Sequence, residues 1–330
     1  MPFFGPPASL APLISKIHFY NDLIASLISV ISISFLWFLL NSKWSAASPV
    51  FKRSLVITTS FEMMFSVFYG LLAAPLFTSI TSSDYCGLLI VNNSILDLFD
   101  VPICLMISIF LLSQLIFISP WLYFFRYVHV CRKTGIQKVD LINLITLNIT
   151  YHLLSSGCLI YSAVPEKSDL LGFQSLVNQF SNGPGSTFLF VSYEKHKSVT
   201  TIIATISYAG SLFLSVLIMI FCSVKINMSF KKTRALRSQN LLMKQQKMNK
   251  FLLTQFICPL IFIQLPFFYS VFGPIIGVSQ GLLTDMLPLL FVWSPVTNSA
   301  IFFVLSTEFR KFWTKAKTVM VSSAGGSRRI

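Results

Sequence analysis

The chain has 330 residues, 54% of them hydrophobic and only 11% charged, with 25 Lys and Arg against 11 Asp and Glu, a net charge of +14. An ordinary soluble domain is roughly 25% charged, so a soluble fold would lack the polar residues to cover its surface, and a membrane protein is expected. The positive balance would suggest nucleic acid in a soluble protein, but no zinc spacing, Gly-rich phosphate loop or RNA-binding signature accompanies it; basic cytoplasmic loops explain it and nucleic acid is excluded as a partner.

The first 18 residues hold several prolines and a single base, Lys16. They lack a charged start and a small-residue cleavage site, so the first apolar run is expected to act as an uncleaved anchor. A helix needs ~20 apolar residues to cross the hydrocarbon core. Seven stretches qualify: Phe19–Leu40, Ser54–Leu76, Ile95–Phe125, Val139–Tyr161, Ser198–Val224, Phe251–Phe272 and Leu282–Leu305. The expected fold is an all-α bundle of seven transmembrane helices over residues 1–305, with a basic amphipathic cytoplasmic tail over 306–330. With the N-terminus outside, the inner segments carry 21 Lys and Arg and the outer segments 4. That asymmetry sets the N-terminus outside and the C-terminus inside.

The second span contains Glu62, about eight residues or ~12 Å into the helix. An ionisable group at that depth is expected to face the bundle interior. It would hold an ion or a water cluster, or be protonated and hydrogen-bonded to a neighbouring helix. At the outer mouth of the third span, Asp97 and Asp100 are three apart, hence on one helical face. They read either as solvated carboxylates at a helix start or, with Asp285 at the same level, as the acidic rim of a pocket. The third span ends in Phe125-Arg126-Tyr127, with Arg132 and Lys133 behind it. Snorkelling and topology account for positive charge there.

In the second outer loop, Ser162–Lys197, two β-leaning stretches flank Gly183-Pro184-Gly185, a pattern that reads as a short β-hairpin or an irregular loop. After the fifth span, Lys225–Lys250 carries eight bases and no acid. Anionic inner-leaflet lipid would attract such a run by ~1 kcal/mol per base, and a cytosolic partner could dock on it. The sixth span contains Pro259 and Pro266 with Gln255 and Gln264. Each proline removes a backbone hydrogen bond and bends the helix, giving either a static kink or a hinge. In the seventh, Pro295 is expected to break the helix, with Asn298 one turn further in.

The six cysteines are scattered, and no disulfide-rich framework is expected. The four histidines are dispersed without zinc-ligand spacing, so no catalytic, metal or cofactor site is expected. A retinal protein would need a lysine in the seventh span, which has none. A transporter or ligand-gated channel is the alternative class, but neither inverted repeats nor a charged intramembrane pathway is visible.

Three strings carry a finer pattern: "FFRYVHV" over 124–130, "KMNKFLLTQFICPLIFIQLPFF" over 247–268, and "WSPVTNSAIFFVLSTEFRKFW" over 293–313. Together they resemble the nematode chemosensory serpentine receptors of the Str superfamily, which are G-protein-coupled receptors. The resemblance implies a plasma-membrane receptor, in a sensory cilium, for a small and largely uncharged chemical cue. Small-molecule sites are mostly apolar with a few placed polar groups, so a ligand pocket is expected in the outer half of the bundle, between the third, fifth, sixth and seventh spans and capped by the second outer loop, with Asp100, Tyr208, Gln264 and Asp285 as polar contacts. Coupling to a heterotrimeric G protein would run through Arg126, Tyr127, Arg132, Lys133, Lys247 and Lys250. Glu62, Pro259, Pro266, Pro295 and Asn298 would form the switch. Two features depart from rhodopsin-like receptors: Phe125 stands where many have an acid, and the second outer loop has no cysteine. Cys104 is therefore expected to be a free thiol, with Cys86 and Cys158 left as an open pairing.

Overall fold

The computed structural model describes residues 11–41, 49–73, 75–81, 85–92, 101–131, 143, 146–147, 149–157, 187–194, 199–233, 253–254, 257–272 and 286–305. Inside a bilayer no water can satisfy a backbone amide, so an apolar run closes its hydrogen bonds as helix. Each of the seven expected stretches contains helical residues.

Helix α1 spans Ala11–Asn41. Helix α2 runs over Pro49–Phe65 and continues as a π-helix over Ser66–Ala73. Leu76, expected inside the second span, is instead the second residue of strand β1, Pro75–Thr81. Pro75 has no N–H to continue the helix and biases the residue before it away from helical geometry. Strand β2, Tyr85–Asn92, pairs antiparallel with β1 and then with β3, Thr187–Glu194, through a bulge at Cys86/Gly87. In this register Ile90 lies opposite Phe77 on one side and Phe188 on the other. The sheet thus links the segment after α2 to the segment before the fifth helix. The hairpin expected around Gly183-Pro184-Gly185 has its turn and first arm outside the described residues.

Helix α3, Val101–Cys131, stays helical across Pro120. The described helical residues of α4 are 143, 146–147 and 149–157. Helix α5, Val199–Thr233, continues past the expected end at Val224 and takes in Lys225, Lys231 and Lys232. Its 35 residues make a helix of ~52 Å at 1.5 Å per residue, longer than a ~30 Å hydrocarbon core. Helix α6 contains a π-helix, Leu260–Gln264, followed by α-helix over Leu265–Phe272. Pro259 caps the π segment, and the Leu265 N–H reaches back to the Leu260 carbonyl. Helix α7 begins as a 3-10 turn over Leu287–Leu290 and becomes α-helical over Trp293–Leu305. Pro295 therefore lies in the first α-helical turn, where its missing N–H would have had no helical partner. The interruption falls before it, at Phe291 and Val292, and the expected break at Pro295 is corrected accordingly.

Three described helices are long and apolar enough to cross a membrane: Pro12–Asn41, Ile206–Ser229 and Leu287–Val304. Leu55–Gly70, Met106–Ile118 and Ile257–Tyr269 are shorter apolar helical runs. Side chains are distributed inside out relative to a soluble domain. Ile31, Phe38, Leu154, Ile206, Phe213 and Val304 are exposed, while Asp22, Glu62, Gln114, His152, Gln264 and Asn298 are buried. Lipid rewards that arrangement and water penalises it. The main core gathers Phe65 and Tyr69 from α2, Leu112 and Phe117 from α3, Tyr208 and Leu212 from α5, Ile263 and Phe267 from α6, and Phe291 from α7.

Candidate functional site

Near the sheet end of the bundle, Tyr208 of α5 is buried and meets two other helices. Its hydroxyl lies 2.9 Å from Ser113 Oγ of α3. Its ring stands edge-on to Phe117 of α3 and Phe267 of α6, with centroids 6.1 Å away in each case. One side chain therefore joins α3, α5 and α6. Gln264 is buried in the π segment of α6, and its Oε1 has no hydrogen-bond partner among the described residues. It is Phe267, one turn further on, that meets Tyr208. Asp100 and Asp285 lie outside the described residues.

Deeper in the bundle, Asn298 Nδ2 of α7 donates to Glu62 Oε1 of α2 at 2.7 Å. Both side chains are buried, so the sequence-selected acid and amide form one interhelical joint. Ser66 Oγ lies within hydrogen-bond distance of the Glu62 carbonyl, at 2.9 Å, and of Ser29 Oγ of α1, at 2.7 Å. Beside Pro259, Cys258 Sγ lies 2.9 Å from Thr297 Oγ1 and 3.5 Å from the Ser294 carbonyl. These contacts tie α6 to α7 close in sequence to Pro259 and Pro295. Pro266 is buried two residues past the π segment that Pro259 caps.

At the opposite end, α3 and α5 meet through Tyr123, Met219 and Cys222. Tyr127 lies 5.9 Å from the Phe221 ring, and Lys225 Nζ stands 5.6 Å above that same ring. Cys131 Sγ contacts the Lys225 carbonyl at 3.7 Å. Arg126 belongs to α3 by its backbone. Its side chain is outside the description, as are Arg132, Lys133, Lys247, Lys250 and the tail. The structure thus joins Glu62 with Asn298, sets Tyr127 against α5, and leaves Tyr208 and Gln264 as separate interior groups.

Sequence reasoning missed a further joint, between α1 and α7. Asn21 Nδ2 donates to Asp22 Oδ1 and to the Leu289 carbonyl, each at 3.1 Å. Trp293 Nε1 donates back to Asn21 Oδ1 at 2.9 Å. It also passed over Gln114 of α3 and His152 and Ser156 of α4, all buried. The available signal was the same as for Glu62: a polar side chain inside an apolar span.

This helical bundle has the fold of a G-protein-coupled receptor. It is similar to the crystal structure of squid rhodopsin, with a TM-score of 0.63 at 14% identity, covering 96% of this chain and 88% of that one. Among curated proteins none matches the sequence. The model of the serpentine type 7TM GPCR chemoreceptor Str family matches residues 19–314, and the chain belongs to that family. It is a membrane protein of the receptor type.

Proposed function

We propose that the chain is a chemosensory receptor that crosses the plasma membrane seven times, N-terminus outside, and converts binding of a small molecule into activation of a heterotrimeric G protein. Its working place is a sensory cilium, and anionic inner-leaflet lipid holds the basic segment after α5. Family membership supports the receptor reading, and the distribution of 21 inner and 4 outer bases supports the orientation.

The observation that carries the mechanism is the position of Tyr208, bonded to Ser113 of α3 and packed on Phe267 of α6. A ligand shifts a conformational equilibrium only by contacting the two states differently. A molecule in the outer half of the bundle that displaces Tyr208 changes contacts to α3 and α6 at once. Phe267 is next to Pro266, and the adjoining π segment Leu260–Gln264 has non-α hydrogen bonding. Helix α6 bends there, and its cytoplasmic end swings outward. Asp100, Gln264 and Asp285 complete the polar contacts of the pocket. The Glu62–Asn298 joint and the Cys258–Thr297 contact hold the resting arrangement against that swing.

The opened cavity is lined by Arg126 and Tyr127, with Arg132, Lys133, Lys247 and Lys250 at its rim. A planar guanidinium with five donors stacks on aromatics and bonds carbonyls of an incoming helix, which lysine does less well. Phe125 leaves Arg126 without an adjacent carboxylate, so basal signalling is expected. The test is Arg126→Ala in cells, read by G-protein dissociation and by surface staining. Normal surface level with lost signalling supports the assignment. Full signalling reduces Arg126 to a topology anchor, and a ligand-evoked current that needs no G protein replaces the receptor by a channel.

A further inference from the structure

Five buried polar atoms without a hydrogen-bond partner among the described residues fall on three side chains: Nε2 and Oε1 of Gln114, Nδ1 and Nε2 of His152, and Oγ of Ser156. All three side chains are at most 1% exposed. Helix geometry brings them to one place. Phe117 of α3 stacks on the His152 ring of α4, centroids 4.4 Å apart and planes at 25°, with Tyr151 edge-on at 6.5 Å. At 3.6 residues per turn, Ser113 lies about 40° to one side of Phe117 and Gln114 about 60° to the other. Ser113 points to Tyr208 of α5, so Gln114 is on the side of α4. Ser156 is one turn along α4 from His152 and on the same face. Gln114 is likewise one turn from Phe117, towards the sheet end. If α3 and α4 run antiparallel, as consecutive spans do, Gln114 and Ser156 share a level, with His152 one turn below.

Natural interiors pair their buried polar groups, and each unpaired one opposes folding. In hydrocarbon there is no alternative partner nearby. Gln114 offers two donors and an acceptor, neutral His152 one of each, and Ser156 both. The rings against His152, Phe117 and Tyr151, and the groups beyond Phe117, Tyr208 and Ser113, are uncharged. A charged ligand would have no counter-charge from these groups, and an alkane would leave every polar atom unpaired. A hydroxyl both donates and accepts, and can bond two of the three side chains at once.

We infer that Gln114, His152 and Ser156 form a hydrogen-bonding subsite between α3, α4 and α5 that takes the hydroxyl group of an otherwise apolar, uncharged ligand. This inference rests on the receptor reading only for its consequence, not for its site. An alcohol seated there presses on Phe117 and, through the Ser113–Tyr208 bond, reaches α6.

The probes are 1-octanol, 2-octanone, octane, octanoate and octylammonium, applied to the full chain in nanodiscs. Thermal stability reports binding, and G-protein activation in cells reports coupling. 1-Octanol should raise the melting temperature at a concentration about fivefold below that of octane, the factor that one hydrogen bond of ordinary strength supplies. 2-Octanone, an acceptor only, should fall between them, and the two ions should have no effect. Gln114→Leu with Ser156→Ala should leave the ligand-free protein as stable as the parent or more so, because it removes unpaired polar atoms, yet abolish the preference for 1-octanol. Equal effects of octanol and octane, survival of the preference in the double variant, or no effect from any probe would overturn the subsite. So would a clear fall in stability of the ligand-free double variant, which would show that these groups serve packing. Octanol stabilisation without G-protein activation would keep the subsite and count against the receptor reading. Octanol activation that persists in the double variant would do the reverse.

Discussion

Gly70→Ala probes how closely α1 and α2 approach. Gly70 lies in the π-helical end of α2, and a β-carbon there would overlap Ser26 Oγ, stand 2.7 Å from Ser26 Cβ and lie 2.9 Å from the Asp22 backbone oxygen. Non-bonded carbons rest at about 3.5–4.0 Å, so the carbon pair is short by roughly 1 Å. Rotating Ser26 moves its hydroxyl but not its Cβ or the Asp22 carbonyl, which are fixed to the α1 backbone. The helices must part. Alanine regains about 1 kcal/mol of helix preference over glycine, whereas overpacking costs typically about 1–3 kcal/mol. Parting also stretches the 2.7 Å Ser29–Ser66 hydrogen bond one turn away, a net loss of about 0.5–1.5 kcal/mol if it breaks. The balance is a destabilisation of about 1–3 kcal/mol, read by thermal unfolding of the purified chain in nanodiscs and by a lower surface level in cells. Adding Ser26→Gly removes two of the three clashes and should restore most of the loss. A Gly70→Ala protein that melts at or above the parent temperature would refute the close approach. A double variant no better than the single one would show that Ser26 is not the obstacle.

Four other outcomes are expected. Glu62→Leu strands the Asn298 amide and should cost about 1–3 kcal/mol, whereas Glu62→Gln keeps an acceptor for it and should stay within about 1 kcal/mol of the parent; equal melting of the two variants would deny the joint. Trp293→Phe should lower stability by about 0.5–1.5 kcal/mol and Asn21→Ala, which loses three hydrogen bonds, by more, and their effects should be less than additive in a double-mutant cycle because they share the Trp293–Asn21 bond. A membrane-permeant maleimide should label partly exposed Cys131 before buried Cys222 and Cys258, as peptide mass spectrometry would report. An epitope tag after Met1 should stain on intact cells and one after Ile330 only after permeabilisation; the opposite pattern would sink the orientation read from the basic residues.

The helices were legible because the bilayer leaves an apolar run little choice of conformation. Strand β3 fell in the β-leaning stretch after Gly183-Pro184-Gly185, but β1 and β2 were not legible, and Pro75–Asn92 shows why. Leu76 and Phe77 continue the apolar run of α2 without a break in hydropathy, and a short apolar segment reads equally well as helix or buried strand. Only Pro75 marked the change, and β2 finds its other partner in β3, about a hundred residues along the chain. Non-local pairing of that kind leaves no periodicity in either segment. The Glu62–Asn298 joint was half legible for a related reason. Depth in an apolar span announces that Glu62 must face inward, but its partner depends on how α2 and α7 are rotated, which packing decides. Asp22 and Asn21 escaped notice because they lie near the start of the first expected span, where a polar residue reads as membrane margin. Gln114 and His152 carry no formal charge, and attention to charge passes over them. Yet an amide and an imidazole buried without partners face the same physical demand as a buried carboxyl. In a chain this poor in charge, neutral polar residues within the spans are therefore the better guide to where a ligand's own polar group would be read.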